Sequence, residues 1–200
     1  MTIAYLILLA LVGIGRLAEL RISRRNQRKL EKQGVRKVFE AHFRWLVLLH
    51  GGVLLAAALE VTLLHRPLIP ALAITMALLF VLSNLLRWWV VGTLAEHWNV
   101  EIMASAQVGV VTSGPYRWVR HPNYVGVVAE LISLPMMHTA WITALLGTAA
   151  YLEILRRRVP MEEEALLADA TYRAIMGPKP RFLPRLFKRH QEAQRPESAA

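Results

Sequence analysis

Cysteine is absent from all 200 residues, which excludes disulfides, thiolate metal sites and a cysteine nucleophile and leaves the redox compartment open. Acidic residues are scarce: 14 Asp and Glu stand against 24 Lys and Arg, a formal charge of +10. The seven histidines show no ligand-like spacing, so no metal is expected. There is no internal repeat, no glycine-rich phosphate loop and no soluble nucleotide-binding domain. The N-terminus has neither a basic n-region nor a small-residue cleavage site, so Met1 to about Gly15 reads as a retained helix rather than a signal peptide.

What the chain has in quantity is apolar surface. A hydrophobic content of 55% and a mean hydropathy of +0.36 describe an all-α, polytopic membrane protein. Apolar segments fall near 2–18, 43–64, 67–91, 124–137 and 141–156, against the ~20 residues a helix needs to cross a bilayer. The basic residues cluster at Arg21 to Lys37, Arg156 to Arg158 and Arg181 to Arg189. Nucleic acid would also favour such clusters, but the positive-inside rule explains them more simply. About five crossings with the N-terminus outside put the 21–41 loop, the 92–123 connector and the C-terminal region in the cytoplasm; a bacterial inner membrane is the expected setting. The last two segments, joined by Pro135 to Thr139, are expected to form a tight hairpin. Residues 19–39 read as a surface helix or a solvated basic loop. A cytosolic helix is expected to start at Pro160, within a single domain 1–187 followed by a disordered basic tail, 188–200.

The densest chemistry lies in Gly114-Pro115-Tyr116-Arg117-Trp118-Val119-Arg120-His121-Pro122-Asn123-Tyr124-Val125-Gly126. Its prolines break regular structure, and irregular backbone at membrane depth must be buried in protein or face water. The run could hold an anionic or nucleotide-like ligand, or serve as an interfacial belt of Trp, Tyr and Arg. Arg158 and Glu162, four apart, share a helix face, either as an ordinary ion pair or as a carboxylate for ribose hydroxyls beside a guanidinium for a substrate oxyanion. Glu130 is an intramembrane acid and hence a functional candidate without a readable partner. With Glu130, Arg87, Asn84, His50 and Glu60 could line an internal cavity, although snorkelling competes for Arg87 and a satisfied interior role for His50. Arg87 and Glu130 are carried as substrate-binding candidates.

On these residues the chain resembles the isoprenylcysteine carboxyl methyltransferase family, integral membrane enzymes that move a methyl group from S-adenosylmethionine onto lipid-modified substrates. The resemblance rests on the run from Val110 to Gly126, then on Arg158, Glu162-Glu163 and Leu166. It implies that Val108, Gly109, Val110 and Val111, largely through backbone, surround the cofactor with Tyr116, His121, Pro122, Asn123, Tyr124 and Glu162. It further implies that the catalytic Arg158 faces the acceptor, with Glu101 a weaker carry-over. The stretch Ala168-Asp169-Ala170-Thr171-Tyr172 departs from the family's usual Phe-Gly before a tyrosine. Arg16 to Asn26 resembles a bacterial subgroup that methylates long-chain alkylpyrones and alkylresorcinols. The acceptor implied is therefore a prenylated cysteine carboxylate or an enol or phenol oxygen. Phospholipid N-methyltransferases share the Arg-His-Pro motif and paired glutamates, so an amine acceptor stays open.

Methyl transfer from a sulfonium is an in-line displacement that depends on positioning and on excluding water, and it needs no covalent enzyme intermediate. The cofactor is expected to enter from the cytosol under the 92–123 connector, and the lipid acceptor laterally between helices. The partners are then the bilayer and a lipophilic substrate, with no nucleic acid. The rivals are an NADPH-dependent membrane reductase of the sterol-reductase type, which the paired glutamates and the missing reductase core disfavour, and a non-enzymatic scaffold.

Overall fold

Where the sequence predicts a short first crossing followed by a separate basic segment, the computed structural model, which describes residues 2–40, 43–104 and 108–184, has one helix. Helix α1 runs Thr2–Lys32. The expected break near residue 19 does not occur, because Ser23, Asn26, Gln27 and Leu30 form a buried stripe on the continuing helix. Their 3–4 spacing turns a polar stretch into a packed face. Helices α2 (Phe43–Leu63) and α3 (Pro70–Leu94) follow, the latter with proline at its start, where a missing N–H costs nothing. α1, α2 and α3 are long and apolar enough to cross a membrane. α4 (Pro122–Met136) and α5 (Trp141–Leu167) form the expected hairpin, and α6 is the short Ala170–Met176. At 15 residues, α4 is about 22 Å long, less than the ~30 Å hydrocarbon thickness. The described residues contain no strand, only an isolated bridge between Lys37 and Met103.

Pro160 does not begin a helix; it lies inside α5. Interior proline costs ~3 kcal/mol or more, and buried polar contacts on both sides offset it. Arg158 is held by Glu40 and Tyr124, and Glu163 by His121 and Arg181. The helix expected to start at Pro160 is therefore a continuation of α5, and only α6, capped by the Asp169 side chain on the Tyr172 N–H at 2.8 Å, is separate. The tail expected at 188–200 lies outside the described residues.

Close approach sets the bundle. A Cβ on Gly126 would meet Arg87 Cγ at 2.9 Å and the Ser83 carbonyl oxygen at 3.2 Å, and one on Gly147 would meet Val53 Cγ2 at 2.7 Å, so α3 packs on α4 and α2 on α5 nearly backbone to side chain. The hairpin end is pinned by Glu60 of α2. Its carboxylate accepts from the Ile142 and Thr143 N–H groups at 3.2 and 2.8 Å and from the Thr143 hydroxyl at 2.7 Å, satisfying the orphan donors of α5. Arg66 neutralises the same carboxylate at 2.9 Å. Glu60, expected to share a cavity with Glu130, thus serves the opposite end of the molecule. With that end fixed, the bundle opens at the other, beneath the connector.

Candidate active site

Among its described residues, the connector between α3 and α4 has short 3-10 turns at Ala95–His97 and Gly114–Arg117 and is mostly irregular. α1 supplies the hydrogen bonds that regular structure would otherwise provide. Asn26 donates to the Ala95 and Trp98 carbonyls at 3.0 and 2.8 Å, and the Ser23 hydroxyl accepts from the Val100 N–H at 2.9 Å. Val38 and Ala104 exchange backbone bonds with Ile102 and Arg36 at 3.0 Å each. Gly114 has φ +54° and faces Thr93 and Trp89 so closely that a Cβ would come within 2.3 Å of the Thr93 hydroxyl. Only glycine fits this turn.

Beneath the connector lies a cavity of about 460 Å³, within the range of small-molecule sites. Gly109, Val110, Val111, Tyr116, His121, Asn123, Tyr124, Arg158 and Glu162 all line it, as do Glu101 and Arg87. Val108 does not; it packs on Leu30, Val35 and Met103. Pro122 starts α4 and is buried, setting the direction of Asn123 and Tyr124 rather than forming the wall. Glu130 lines a separate small void with Arg16 and His50.

The polar end is built around two glutamates with different duties. Glu162 accepts from the Tyr124 hydroxyl in a short contact, lies 3.8 Å from His121 Nδ1 and keeps part of its surface open to the cavity. Glu163 turns away. It takes His121 Nε2 at 3.1 Å, Arg120 at 3.3 Å and Arg181 at 2.7 Å. Burial works against the ionised Glu163, but the Arg181 hydrogen bonds and the charges of Arg120 and His121 outweigh it and hold its carboxyl below the usual range. The segment after α6 is thereby strapped on: the Arg120 and His121 N–H groups donate to the Pro180 and Arg181 carbonyls at 2.9 and 2.8 Å, and Lys179 donates to the Tyr116 carbonyl at 2.8 Å. Burial, with Glu162 adding to it, pushes the Tyr172 hydroxyl up to about 12, and the same two causes raise Tyr116. Both stay neutral hydrogen-bonding walls. Asn123 Oδ1 is buried without a hydrogen-bond partner, an acceptor waiting for a ligand donor.

Arg158 is not paired with Glu162, as the i, i+4 spacing offered. Its Nη1 meets both Glu40 oxygens at 2.6 and 2.7 Å, its Nε donates to the Tyr124 hydroxyl at 3.0 Å and its Nη2 to the Val100 carbonyl. Glu40 was not foreseen. Its signal was slight, a lone acid closing a basic stretch just before α2. Glu130 finds its partners in Arg16 at 2.9 Å and Arg87 at 3.6 Å, while Glu19 binds the same two arginines at 2.6 and 2.8 Å. These two acids and two arginines form a buried, charge-balanced cluster across α1, α3 and α4. The arginines and Glu19 line the cavity.

Beyond this cluster the wall is apolar, formed by α1 and α2 through Gly13, Leu17, Val47, Gly51 and Leu54. Leu17, Val47 and Gly51 are also exposed on the outside of the bundle, so the cavity opens sideways between α1 and α2. One chamber thus joins a polar pocket under the connector to an apolar mouth at membrane depth.

The isoprenylcysteine carboxyl methyltransferase family model matches residues 73–168, spanning α3, the connector, α4 and α5. An uncharacterized protein, YpbQ, of Bacillus subtilis is 31% identical over 161 residues, covering 80% of this chain and 95% of its own. An uncharacterized protein of Haemophilus influenzae is 30% identical over 152 residues, 76% of this chain and 88% of its own.

Proposed function

Since the chain belongs to the isoprenylcysteine carboxyl methyltransferase family and is a multi-pass membrane protein, we propose that it transfers a methyl group from S-adenosylmethionine to an oxygen of a lipophilic acceptor. The observation that carries this reading is the two-part cavity, whose polar end offers acceptors and whose apolar end opens towards lipid. When bound, the cofactor supplies an electrophilic methyl on a sulfonium. Its ribose hydroxyls and ammonium are hydrogen-bond donors. Glu162 and the orphaned Asn123 Oδ1 are acceptors of matching chemistry, and Tyr116, His121 and Tyr124 are flat surfaces for the remainder of the molecule.

The chain's own part is to bind, orient and keep water out. Gly109, Val110 and Val111 close the polar end from the connector side, with Val108 anchoring that stretch on α1. Arg158 acts as a positioning residue: by holding Tyr124 through Nε and Glu40 through Nη1, it fixes the wall between the cofactor pocket and the acceptor. We place the N-terminus outside and the C-terminus in the cytoplasm, with a bacterial inner membrane as the setting, on the positive-inside rule. The continuous α1 supports this, since it carries Arg21, Arg24, Arg25 and Arg28 to the connector end of the bundle, where Asn26 holds Ala95 and Trp98.

Calorimetric binding of S-adenosylhomocysteine to the detergent-purified protein tests the reading. Wild type should bind saturably. Glu162→Ala should weaken binding about tenfold or more, because a hydrogen bond to a charged group contributes ~1.5–3 kcal/mol, and His121→Ala should weaken it by removing a flat wall of the pocket and the partner of Glu163. A folded wild type that binds NADPH instead would move the assignment to a reductase.

A further inference from the structure

The charged half of α1 has two faces. Ser23, Asn26, Gln27 and Leu30 are buried on the side that carries the connector, whereas Arg21, Arg24, Arg25, Arg28 and Lys32 are exposed on the other. With the half-buried Lys29 they form a groove of about 380 Å³ whose lining is cationic throughout. Each i, i+4 step along it, from Arg21 to Arg25, Arg24 to Arg28, Arg25 to Lys29 and Arg28 to Lys32, sets like charge over like charge, which works against the helix. Among the described residues, the ion pair of Lys29 with Glu96 is the only one that these six make. The repulsion is left for something outside the chain to relieve.

Neighbouring elements fix the depth of the groove. Glu19 of α1 meets Arg87 of α3 at 2.8 Å, so the exposed Trp88 and Trp89 lie level with Leu20 and Arg21. Trp118, also exposed, stands edge-on to Trp89 with ring centroids 5.9 Å apart, and the Arg117 guanidinium lies over Trp118, 4.8 Å from the ring centroid. Tryptophan collects at the headgroup level of a bilayer, so the groove begins there and runs outward for about 16 Å. Helical side chains lean towards the N-terminus of their helix. In α1 that direction is back towards lipid, which lowers the long arginine side chains into the headgroup layer.

We propose that this groove is a binding site for the phosphate headgroup of an anionic bilayer lipid. A guanidinium fork receives two phosphate oxygens at once, and an anion among Arg24, Arg25 and Arg28 relieves the repulsion along the helix. The depth of the groove and the lean of its side chains favour a lipid over a soluble phosphate. None of its residues lines the main cavity, so the lipid held here is a bound partner and not the methyl acceptor.

The protein is reconstituted in phosphatidylcholine nanodiscs carrying a trace of spin-labelled phosphatidylglycerol or spin-labelled phosphatidylcholine, and the motionally restricted fraction of each label is read by electron paramagnetic resonance. Wild type should prefer phosphatidylglycerol about fivefold or more at low salt and approach parity at high salt, where exposed charges are screened. Arg24→Gln with Arg28→Gln should remove most of the preference. Arg156→Gln with Arg157→Gln, which takes away the same charge beside Glu153, should keep it. Arg21→Gln with Arg25→Gln replaces the first pair should that fail to fold. Equal retention of the two lipids by wild type, a preference that survives the substitutions in the groove, or an equal loss in the Arg156 and Arg157 variant would each overturn the proposal. So would a preference abolished by inorganic phosphate but not by sodium chloride of the same ionic strength, which would make the groove a site for a soluble phosphate.

Discussion

Arg158 and Glu163 show how little of a side chain's duty its neighbours in sequence decide. Four residues separate Arg158 from Glu162, yet its guanidinium crosses to Glu40, 118 positions away. Removing one partner of a buried ion pair leaves the other uncompensated and typically costs ~3–5 kcal/mol. Arg158→Ala should therefore lower the thermal midpoint in detergent clearly, and the double change Arg158→Leu with Glu40→Leu should recover much of the loss. A midpoint unaffected by Arg158→Ala would mean that Glu40 is not buried against it. Glu163 makes a pH prediction. Its folded carboxyl is held below the ordinary value by Arg181, Arg120 and His121 against the effect of burial, so its contribution is present above the unfolded pKa of ~4.3 and is lost as pH falls through the lower folded value. Amide exchange at Arg120 and His121, corrected for its intrinsic pH dependence, should accelerate across that acid range, and Glu163→Gln should exchange fast at all pH values. The residue types were legible in the sequence: the motif run and paired glutamates mark the polar pocket. The long-range partners were not: Arg16 and Glu19 are an i, i+3 pair, but no spacing ties Glu40 to Arg158, or Arg16 and Glu19 to Glu130 and Arg87.

At the scale of elements, hydropathy located α2 and α3 to within a few residues, since long apolar runs have few alternatives in lipid. It missed the continuity of α1 and α5. Both helices pass from apolar to charged composition, and composition alone cannot tell a new element from an old one leaving the membrane. What decides is burial of Ser23, Asn26 and Gln27 on one and of Arg158 and Glu163 on the other, a tertiary fact. Packing between elements is tightest where glycines sit. Gly147→Ala would push a methyl to 2.7 Å from Val53 Cγ2, and overpacking of this kind costs ~1–3 kcal/mol; adding Val53→Ala should restore the thermal midpoint. Gly51 is the opposite case. A Cβ there meets nothing within 4 Å, so Gly51→Leu should leave stability and S-adenosylhomocysteine affinity unchanged. It should weaken long-chain acceptors at least tenfold while sparing short ones, a difference read from KM against chain length. Equal KM values across chain lengths would place the lipid elsewhere.

The whole molecule is a bundle fixed at one end and open at the other. Glu60, Arg66 and Thr143 close the hairpin end, where the Thr139 hydroxyl also donates to the Pro67 carbonyl at 2.6 Å. At the open end, α1 is a single rod of 31 residues, about 46 Å long. Gly13, Arg16 and Glu19 on that rod line the cavity, and Ser23 and Asn26, one to two turns further on, carry the connector that roofs its polar end. A cofactor and an acceptor bound as proposed lean on the same rigid body. Whatever tilt of α1 one of them favours is imposed on the other, and the resulting linkage is reciprocal: the factor by which acceptor tightens cofactor must equal the factor by which cofactor tightens acceptor.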